Sequence, residues 1–345
     1  MMKSKQGMSR RSFLSGAAVM GAALAGAGLT GCAPKSTSEV AGSEADSTSA
    51  GAASGGTVGF DGTGTMPWLG EAPEIADSDV AEEIDTDVVI VGLGCAGVPA
   101  ARAAVEAGAK VVCLESSAKL NSAASDMAIF GGQTQPTWGR GDGFLGKKMV
   151  VNMHMEECSH HVSQSVISRY YDESGAALDW FVAASKNLYI APESYAEIPE
   201  ESQENYMFPY MYPVPETYDY TKEDLPCYPT SVGFSSLATV MADNLQVAVD
   251  GGADVRYNTK GVKLIQDDSG AVTGIYAQSA DSDGYLKINA KSVVLATGDY
   301  LGNEEMMKFY APECVENGIQ ILSIDMDNEG NYTNIGEGHK MGAWA

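Results

Sequence analysis

The chain has few basic residues for its length. Lysine and arginine together number 21 against 46 aspartates and glutamates in 345 residues, so the formal net charge is −25. This acidity argues against nucleic acid as a partner and against charge-driven binding to anionic lipid, because both are polyanions. The charge suits a basic redox partner, and it equally suits a protein that has only to stay soluble outside the cell.

Cysteine and histidine are scarce as well. The six cysteines include no C-x-x-C pair and three clustered histidines lack the spacing of a helical metal pair, so no metal or iron–sulfur site is predicted. We expect Cys95 and Cys113 to be buried small apolar residues. Whether two of Cys158, Cys227 and Cys314 form a disulfide stays open.

The N-terminal apolar stretch is too short to span a membrane. Ala17–Leu29 is rich in glycine and lies below the usual spanning length. It stands between a twin-arginine motif, Ser9–Leu14, and Leu29–Cys32, which resembles the cleavage box of bacterial lipoproteins. We therefore predict a twin-arginine lipoprotein signal in residues 1–32, with Cys32 lipidated. The expected location is the extracytoplasmic face of the cell membrane.

Residues 33–83 differ in composition from the rest of the chain. Serine, threonine, glycine, alanine and acids dominate this segment. Such a composition cannot bury enough apolar surface to offset chain entropy, so it predicts a flexible linker. The patch Trp68–Ile75 within it is a candidate for docking on the folded domain.

A glycine-rich turn lies between two apolar strands at the start of the folded part. Val88–Val91 leads into a G-x-G-x-x-G turn, an alanine-rich helical segment follows, and Lys110–Leu114 ends on Glu115. In this context the three glycines permit the tight turn, the approach of a pyrophosphate and close helix packing. The helix N-terminus favours phosphate. Glu115 is placed to accept hydrogen bonds from a ribose diol and to repel a 2′-phosphate, which disfavours NADP.

The remaining pattern predicts helices, a loop and a β-meander. Met149–Ala184 and Ser235–Val249 have helical periodicity, whereas Tyr206–Tyr228 is a Tyr-, Met- and Pro-rich loop that lines a substrate pocket or packs its own aromatics. Three strands with two-residue periodicity follow, separated by turn signals after residues 266 and 281. They lead into a strand, Ser292–Ala296, that we expect to be buried.

Several segments together resemble one flavoprotein superfamily. The segments are VVIVGLGCAG with VVCLE, ALDWF, ADVRYNTKGVKLIQDDSGAVTGIYA, SVVLATGDYLGNEEMMKFYAPE and NIGEGHKMGAWA. They resemble the FAD-dependent fumarate reductase/succinate dehydrogenase flavoproteins, in the style of flavocytochrome-like fumarate reductases, urocanate reductases and ketosteroid dehydrogenases. The resemblance implies FAD rather than NAD. It also implies that residues 84–345 form an α/β, Rossmann-like FAD-binding domain with a parallel sheet, a β-meander and a helical insert.

The resemblance assigns cofactor-binding positions. The implied residues are Gly92, Gly94, Cys95, Ala96, Gly97, Glu115, Ser116, Ser122, Gly261, Ala296, Thr297 and Gly298. The chain departs from the family where glycine is usual, at Lys119-Leu120, Asp126-Met127 and Asp299, and it has Glu337 where the family's Gly-Asp-Gly has aspartate. Since glycine serves where a ligand approaches the backbone, we expect these side chains to reshape the flavin pocket.

The resemblance also implies an activity. It predicts a FAD-dependent oxidoreductase that acts on a CH–CH bond of a small-molecule substrate, reducing an activated alkene with electrons from a membrane or extracytoplasmic donor. The family's cap domain and its substrate-binding His and Arg have no counterpart up to Ala345, so the domain is expected to be incomplete and inactive by itself, and no catalytic residue is assigned. The alternative is a truncated or non-catalytic FAD-binding lipoprotein, or half of a split flavoenzyme. The titratable residues nearest the expected flavin are Asp126, Asp299, Glu337 and His339.

Overall fold

The computed structural model describes residues 66–120, 126–129, 147–160, 162–192, 196–210, 231–318 and 331–345. Its strands are β1 Val80–Val91, β2 Val111–Leu114, β3 Asp126–Ala128, β4 Tyr189–Ile190, β5 Tyr206–Tyr210, β6 Ser231–Phe234, β7 Asp254–Arg256, β8 Thr259–Gln266, β9 Val272–Ser279 and β10 Tyr285–Leu295. Its helices are α1 Gly97–Glu106, α2 Lys147–Glu157, α3 Gln164–Val182, α4 Leu237–Asp250, α5 Glu304–Tyr310, α6 Pro312–Glu316 and α7 Glu337–Trp344. The predicted signal, most of the predicted linker, and Cys32, Ser122 and Cys227 lie outside the described residues.

One six-stranded sheet organises the domain. Its order is β7-β2-β1-β10-β9-β8. The first four strands run parallel to one another, and β9 pairs antiparallel with both β10 and β8. The predicted meander is therefore continuous with the parallel sheet, because β10 pairs with β1 on one side and with β9 on the other. This arrangement confirms the predicted α/β fold class with a parallel sheet and a meander.

The end of strand β1, Val89–Val91, is apolar because both of its faces are covered. Ile90 belongs to a core that includes α1, α3 and α4, whereas Val89 and Val91 belong to a second core on the meander side. All three are nearly inaccessible to solvent. Successive side chains of a strand point to opposite faces, so a continuous apolar run is what a strand between two cores requires. Burial of each such side chain stabilises the fold by about 1.5–3 kcal/mol.

The end of β10 differs from the prediction. Ser292–Ala296 was expected to be a buried strand, but Val294 and Leu295 are 36% and 37% exposed. The cause is that β9 pairs with β10 only as far as Asn289, and no described segment pairs with that edge beyond it. The pattern of apolar residues predicted the strand correctly and its burial wrongly.

The helical insert contains two helices rather than one. Met149–Ala184 was predicted as a single helix, but the backbone breaks between α2 and α3, where Ser159 and His160 have φ of 50° and 61°. The helix predicted at Ser235–Val249 is confirmed as α4, which begins after Ser236, whose hydroxyl accepts a hydrogen bond from the Thr239 N–H.

A four-stranded sheet accompanies the insert. Its order is β3-β6-β5-β4, and its strand β5 occupies the start of the predicted loop Tyr206–Tyr228. Pro209 lies inside β5. Because a proline has no N–H to donate to a neighbouring strand, the sequence favoured a loop here. The proline is tolerated because β4 is so short that its pairing with β5 ends at Met207, leaving Pro209 at an open edge.

The folded unit begins earlier than residue 84. The described part starts at Met66, and β1 begins at Val80, inside the segment predicted as linker. Trp68 in the predicted docking patch is 3% exposed and packs in a cluster with Leu69 and Met306. The acidic residues at the start of β1 resemble linker composition in the sequence. The arginine and lysine that pair with them lie on other strands, so these ion pairs are not visible in the local sequence. No helix among the described residues is long and apolar enough to cross a membrane.

Candidate dinucleotide site

A cavity of about 550 Å³ lies where β1, β2 and β10 end. The glycine-rich turn after β1 forms one wall, Glu115 and Ser116 after β2 form a second, and Ala296–Gly298 after β10 form a third. Residues of β8 and α7 complete the lining. Ligands of parallel α/β sheets bind at the carboxyl ends of the strands, so this is the expected position for a cofactor.

Two glycines of the turn are required by close packing. Gly92 has φ of 94°, and a Cβ there would collide with the Ala296 carbonyl of the neighbouring strand. A Cβ at Gly97 would collide with the Gly92 carbonyl. These glycines let the turn, β10 and α1 approach one another closely.

The third glycine leaves space for a ligand. A Cβ on Gly94 would meet no atom of the described residues within 4 Å, although Gly94 lines the cavity. Helix α1 begins beside it, and the residue before the helix, Ala96, provides no side-chain cap for its N–H groups. An uncapped helix N-terminus beside an open glycine is suited to bind a pyrophosphate.

Glu115 is buried and held in one orientation. It is 8% exposed; one carboxylate oxygen accepts a hydrogen bond from the Leu93 N–H at 2.8 Å, and the other accepts one from the Ser117 N–H, also at 2.8 Å. The oxygen bonded to Ser117 also accepts a long hydrogen bond from the Ser116 hydroxyl at 3.5 Å, whereas the oxygen bonded to Leu93 has a further lone pair. Because Glu115 also lines the cavity, it can still accept the hydroxyl groups of a ribose.

The structure brings most of the predicted cofactor-binding residues around this cavity. They are Gly92, Gly94, Cys95, Ala96, Glu115, Ser116, Gly261, Ala296, Thr297 and Gly298. Gly97 lies beneath the turn rather than on the cavity surface, and Ser122 lies outside the described residues. Their roles in holding a cofactor remain predictions.

The cysteines only partly follow the prediction. Cys113 is buried, and burial raises the pKa of its thiol to about 12, with a smaller contribution from the Asp254 charge. Cys95 is exposed, so its predicted burial is wrong. Cys95 belongs to the turn rather than to a strand, and the turn presents it to the cavity. Cys158 and Cys314 are not joined to each other.

Sequence reasoning missed several lining residues. They are Leu93, Ser117, Thr259, Lys260, Thr333 and Met341. Thr259 and Lys260 adjoin Gly261 on β8, so their position next to a predicted residue was an available signal. Met341 lies in the segment NIGEGHKMGAWA that carries part of the family resemblance, so it also had a signal, whereas Thr333, just before that segment, had none.

Two of the acidic residues considered near the expected flavin have other partners, and the third lies on another sheet. One oxygen of Asp299 accepts hydrogen bonds from the Leu301 N–H at 2.8 Å and from the Asn334 amide at 2.7 Å. Glu337 forms an ion pair with Lys260. Asp126 is exposed on β3 in the second sheet. These three carboxylates are therefore not presented to the cavity as unpaired acids.

His339 and Tyr257 are not among the described residues that line the cavity. His339 is exposed and packs edge-on against Tyr300, with ring centroids 5.2 Å apart. The pKa of Tyr257 is raised by burial and then by the Glu115 charge, so the phenol stays protonated at neutral pH. No catalytic acid is assigned among the described residues.

The fold and the cavity define an α/β dinucleotide-binding protein. Residues 87–341 match the family described as FAD binding domain. A probable fumarate reductase of Shewanella frigidimarina is 26% identical over 261 residues, which are 74% of this chain and 38% of the relative. Urocanate reductase of Eggerthella lenta is 29% identical over 259 residues, 74% of this chain and 37% of the relative.

A solved structure shares the fold. The 3-ketosteroid-Δ4-(5α)-dehydrogenase of Rhodococcus jostii RHA1 superposes with a TM-score of 0.57 at 20% identity, over 79% of this chain and 56% of that chain. The chain belongs to the FAD-binding domain family, as the match over most of its folded part shows. The predicted superfamily is confirmed, and the cofactor is FAD. The chain spans less than two fifths of the length of the two curated relatives.

Proposed function

We propose that the protein is a FAD-dependent oxidoreductase that reduces an activated carbon–carbon double bond of a small molecule. The observation that carries the proposal is the cavity that fits the ADP half of FAD, in a chain whose relatives include a fumarate reductase and a urocanate reductase. When bound, FAD supplies the hydride-transfer chemistry. The chain's own residues bind and orient it.

Each wall of the cavity has a separate task. The open space at Gly94 and the uncapped start of α1 accept the pyrophosphate. Glu115, held by the Leu93 and Ser117 N–H groups, orients the ribose. The Asp299–Asn334 hydrogen bond joins the turn after β10 to the segment before α7, which closes the far side of the site.

Electrons are proposed to come from a separate donor. The cysteine pattern of the chain holds no iron–sulfur motif, and the net charge of −25 favours encounter with a basic redox protein. We place this exchange at the extracytoplasmic face of the membrane, with the chain tethered through Cys32. The support is the twin-arginine motif and the box Leu29–Cys32. Replacing Arg10 and Arg11 by lysine should hold the precursor in the cytoplasm, and processing that continues unchanged would refute the export route.

The activity is tested by anaerobic reoxidation. The protein is isolated from its own host, its FAD is reduced with viologen, and fumarate, urocanate and an enone steroid are added separately while flavin absorbance is followed. We expect one of these alkenes to reoxidise the flavin and the corresponding saturated compound to leave it reduced. Reoxidation by oxygen but by none of the alkenes would refute the reductase and favour a non-catalytic FAD-binding protein.

A further inference from the structure

Charged side chains line the FAD cavity unevenly. Among the described lining residues, Glu115 and Glu337 carry carboxylates and Lys260 carries the only cationic group. Glu115 is fixed by two backbone N–H groups, which offset part of its charge. Glu337 has a different partner, because its carboxylate forms an ion pair with the Lys260 ammonium.

The ion pair joins two elements that are far apart in the chain. Lys260 lies on β8, and Glu337 lies in the first turn of α7. Their side chains are 50% and 31% exposed, so the pair stands at the open side of the cavity rather than in the core. Within the part of the chain that the structure describes, Lys260 is the group that compensates the charge of the Glu337 carboxylate.

The charge of Glu337 matters because the ligand is an anion. A pyrophosphate carries about two negative charges, and charges on one cavity lie within the Debye length of about 8–10 Å. We propose that Lys260 determines the affinity of the site for pyrophosphate-containing cofactors by neutralising Glu337. With the lysine in place, the phosphates meet the N-terminus of α1 and the neutral Lys260–Glu337 pair. Without it, they would also meet the uncompensated carboxylate of Glu337.

A double-mutant cycle tests this proposal. The affinities of apo wild type, Lys260→Met, Glu337→Gln and the double variant for FAD and ADP are measured by calorimetry. Methionine keeps the length of the lysine stem without its charge. We expect Lys260→Met to weaken binding about fivefold, the size of a partly screened charge effect. Glu337→Gln should bind at least as tightly as the wild type, and the double variant should return to within about twofold of it.

A change in salt concentration and a matched control variant distinguish an electrostatic effect of Lys260 on binding from a structural one. The loss in Lys260→Met should shrink when sodium chloride is raised from about 0.05 to about 0.5 M, since screening reduces repulsion. The control is Lys287→Met. Lys287 lies on the meander strand β10, away from the cavity, and forms a comparable ion pair with Glu83. This variant should bind FAD like the wild type.

Three outcomes would overturn the proposal. One is wild-type affinity in Lys260→Met, and another is weaker binding in Glu337→Gln. The third is a double variant as weak as Lys260→Met, because Lys260 would then act by something other than neutralising Glu337. The readout is binding by the apo protein, so it stays independent of alkene reduction.

Discussion

At the scale of single residues, the three glycines of the turn serve different purposes. Gly92 and Gly97 are demanded by the protein itself, since a Cβ at either would strike a backbone carbonyl. At Gly94 a Cβ would meet open space among the described residues, so the protein's own packing does not require this glycine and the proposed pyrophosphate position explains it. The G-x-G-x-x-G pattern predicted all three, because each requirement arises within a few residues of the turn or its neighbouring strand.

Valine substitutions separate these two purposes. Gly94→Val should leave the melting temperature of the apo protein unchanged and weaken FAD binding about ten- to a hundredfold, as expected when a side chain occupies ligand space at ~1–3 kcal/mol. Gly97→Val should lower the melting temperature of the apo protein itself. Calorimetric melting and FAD titration measure both effects. A Gly94→Val protein that binds FAD like the wild type would contradict the assignment of the pyrophosphate position.

At the scale of elements, a buried arginine joins α1 to α3 and α4, two helices that pack in the same core. Arg102 is 7% exposed and donates hydrogen bonds to the Trp180 carbonyl at 2.9 Å and to the Asn244 amide oxygen at 2.8 Å. Its guanidinium also lies 4.0 Å from the centre of a Trp180 ring and pairs with Glu106. Because α1 begins at the cavity, this junction orients the helix whose N-terminus is proposed to bind the pyrophosphate.

Two arginines with the same spacing to a glutamate make a matched comparison. Arg102→Ala leaves two buried acceptors without a donor and should lower the free energy of unfolding by about 2 kcal/mol. Arg169→Ala breaks the pair with Glu173 on α3, where the arginine side chain is 64% exposed, and should cost less than about 0.5 kcal/mol. Urea unfolding of both variants measures the difference. Equal effects would show that the burial of Arg102 does not decide its contribution.

At the scale of the whole molecule, one buried and one partly buried group make stability sensitive to alkaline pH. Burial raises the pKa of Cys113 from 9.0 to about 12 and that of Tyr170 from 10.0 to about 12. Both keep their protons in the folded protein at pH values where the unfolded chain releases them. The stability they contribute is therefore complete below about pH 9 and is lost as the pH rises toward 12.

The Tyr170 contribution can be isolated. Its hydroxyl donates to the Ala128 carbonyl at 2.7 Å, so Tyr170→Phe should be less stable at neutral pH by about 1 kcal/mol. The variant should also lose stability less steeply than the wild type above pH 10, because phenylalanine does not ionise. Tyr332→Phe, at a tyrosine that is 44% exposed, is the control and should follow the wild type. Urea unfolding at pH 8 and at pH 11 measures the free energy of unfolding of each protein. An equal decrease in the wild type and in Tyr170→Phe between these pH values would contradict the expectation.

The sequence by itself determined the features that depend on neighbouring residues. The strand–turn–helix with Gly92, Gly94 and Gly97, the acid at Glu115, helix α4 and the meander all follow from local spacing of apolar residues and glycines. Only the tertiary structure decided what lies across the cavity. Lys260 and Glu337 meet because α7 packs on β8, Asn334 reaches Asp299 between two loops, and Val294 and Leu295 are exposed because pairing with β9 has ended. Local patterns encode backbone conformation, whereas partners distant along the chain are chosen by the packing of whole elements.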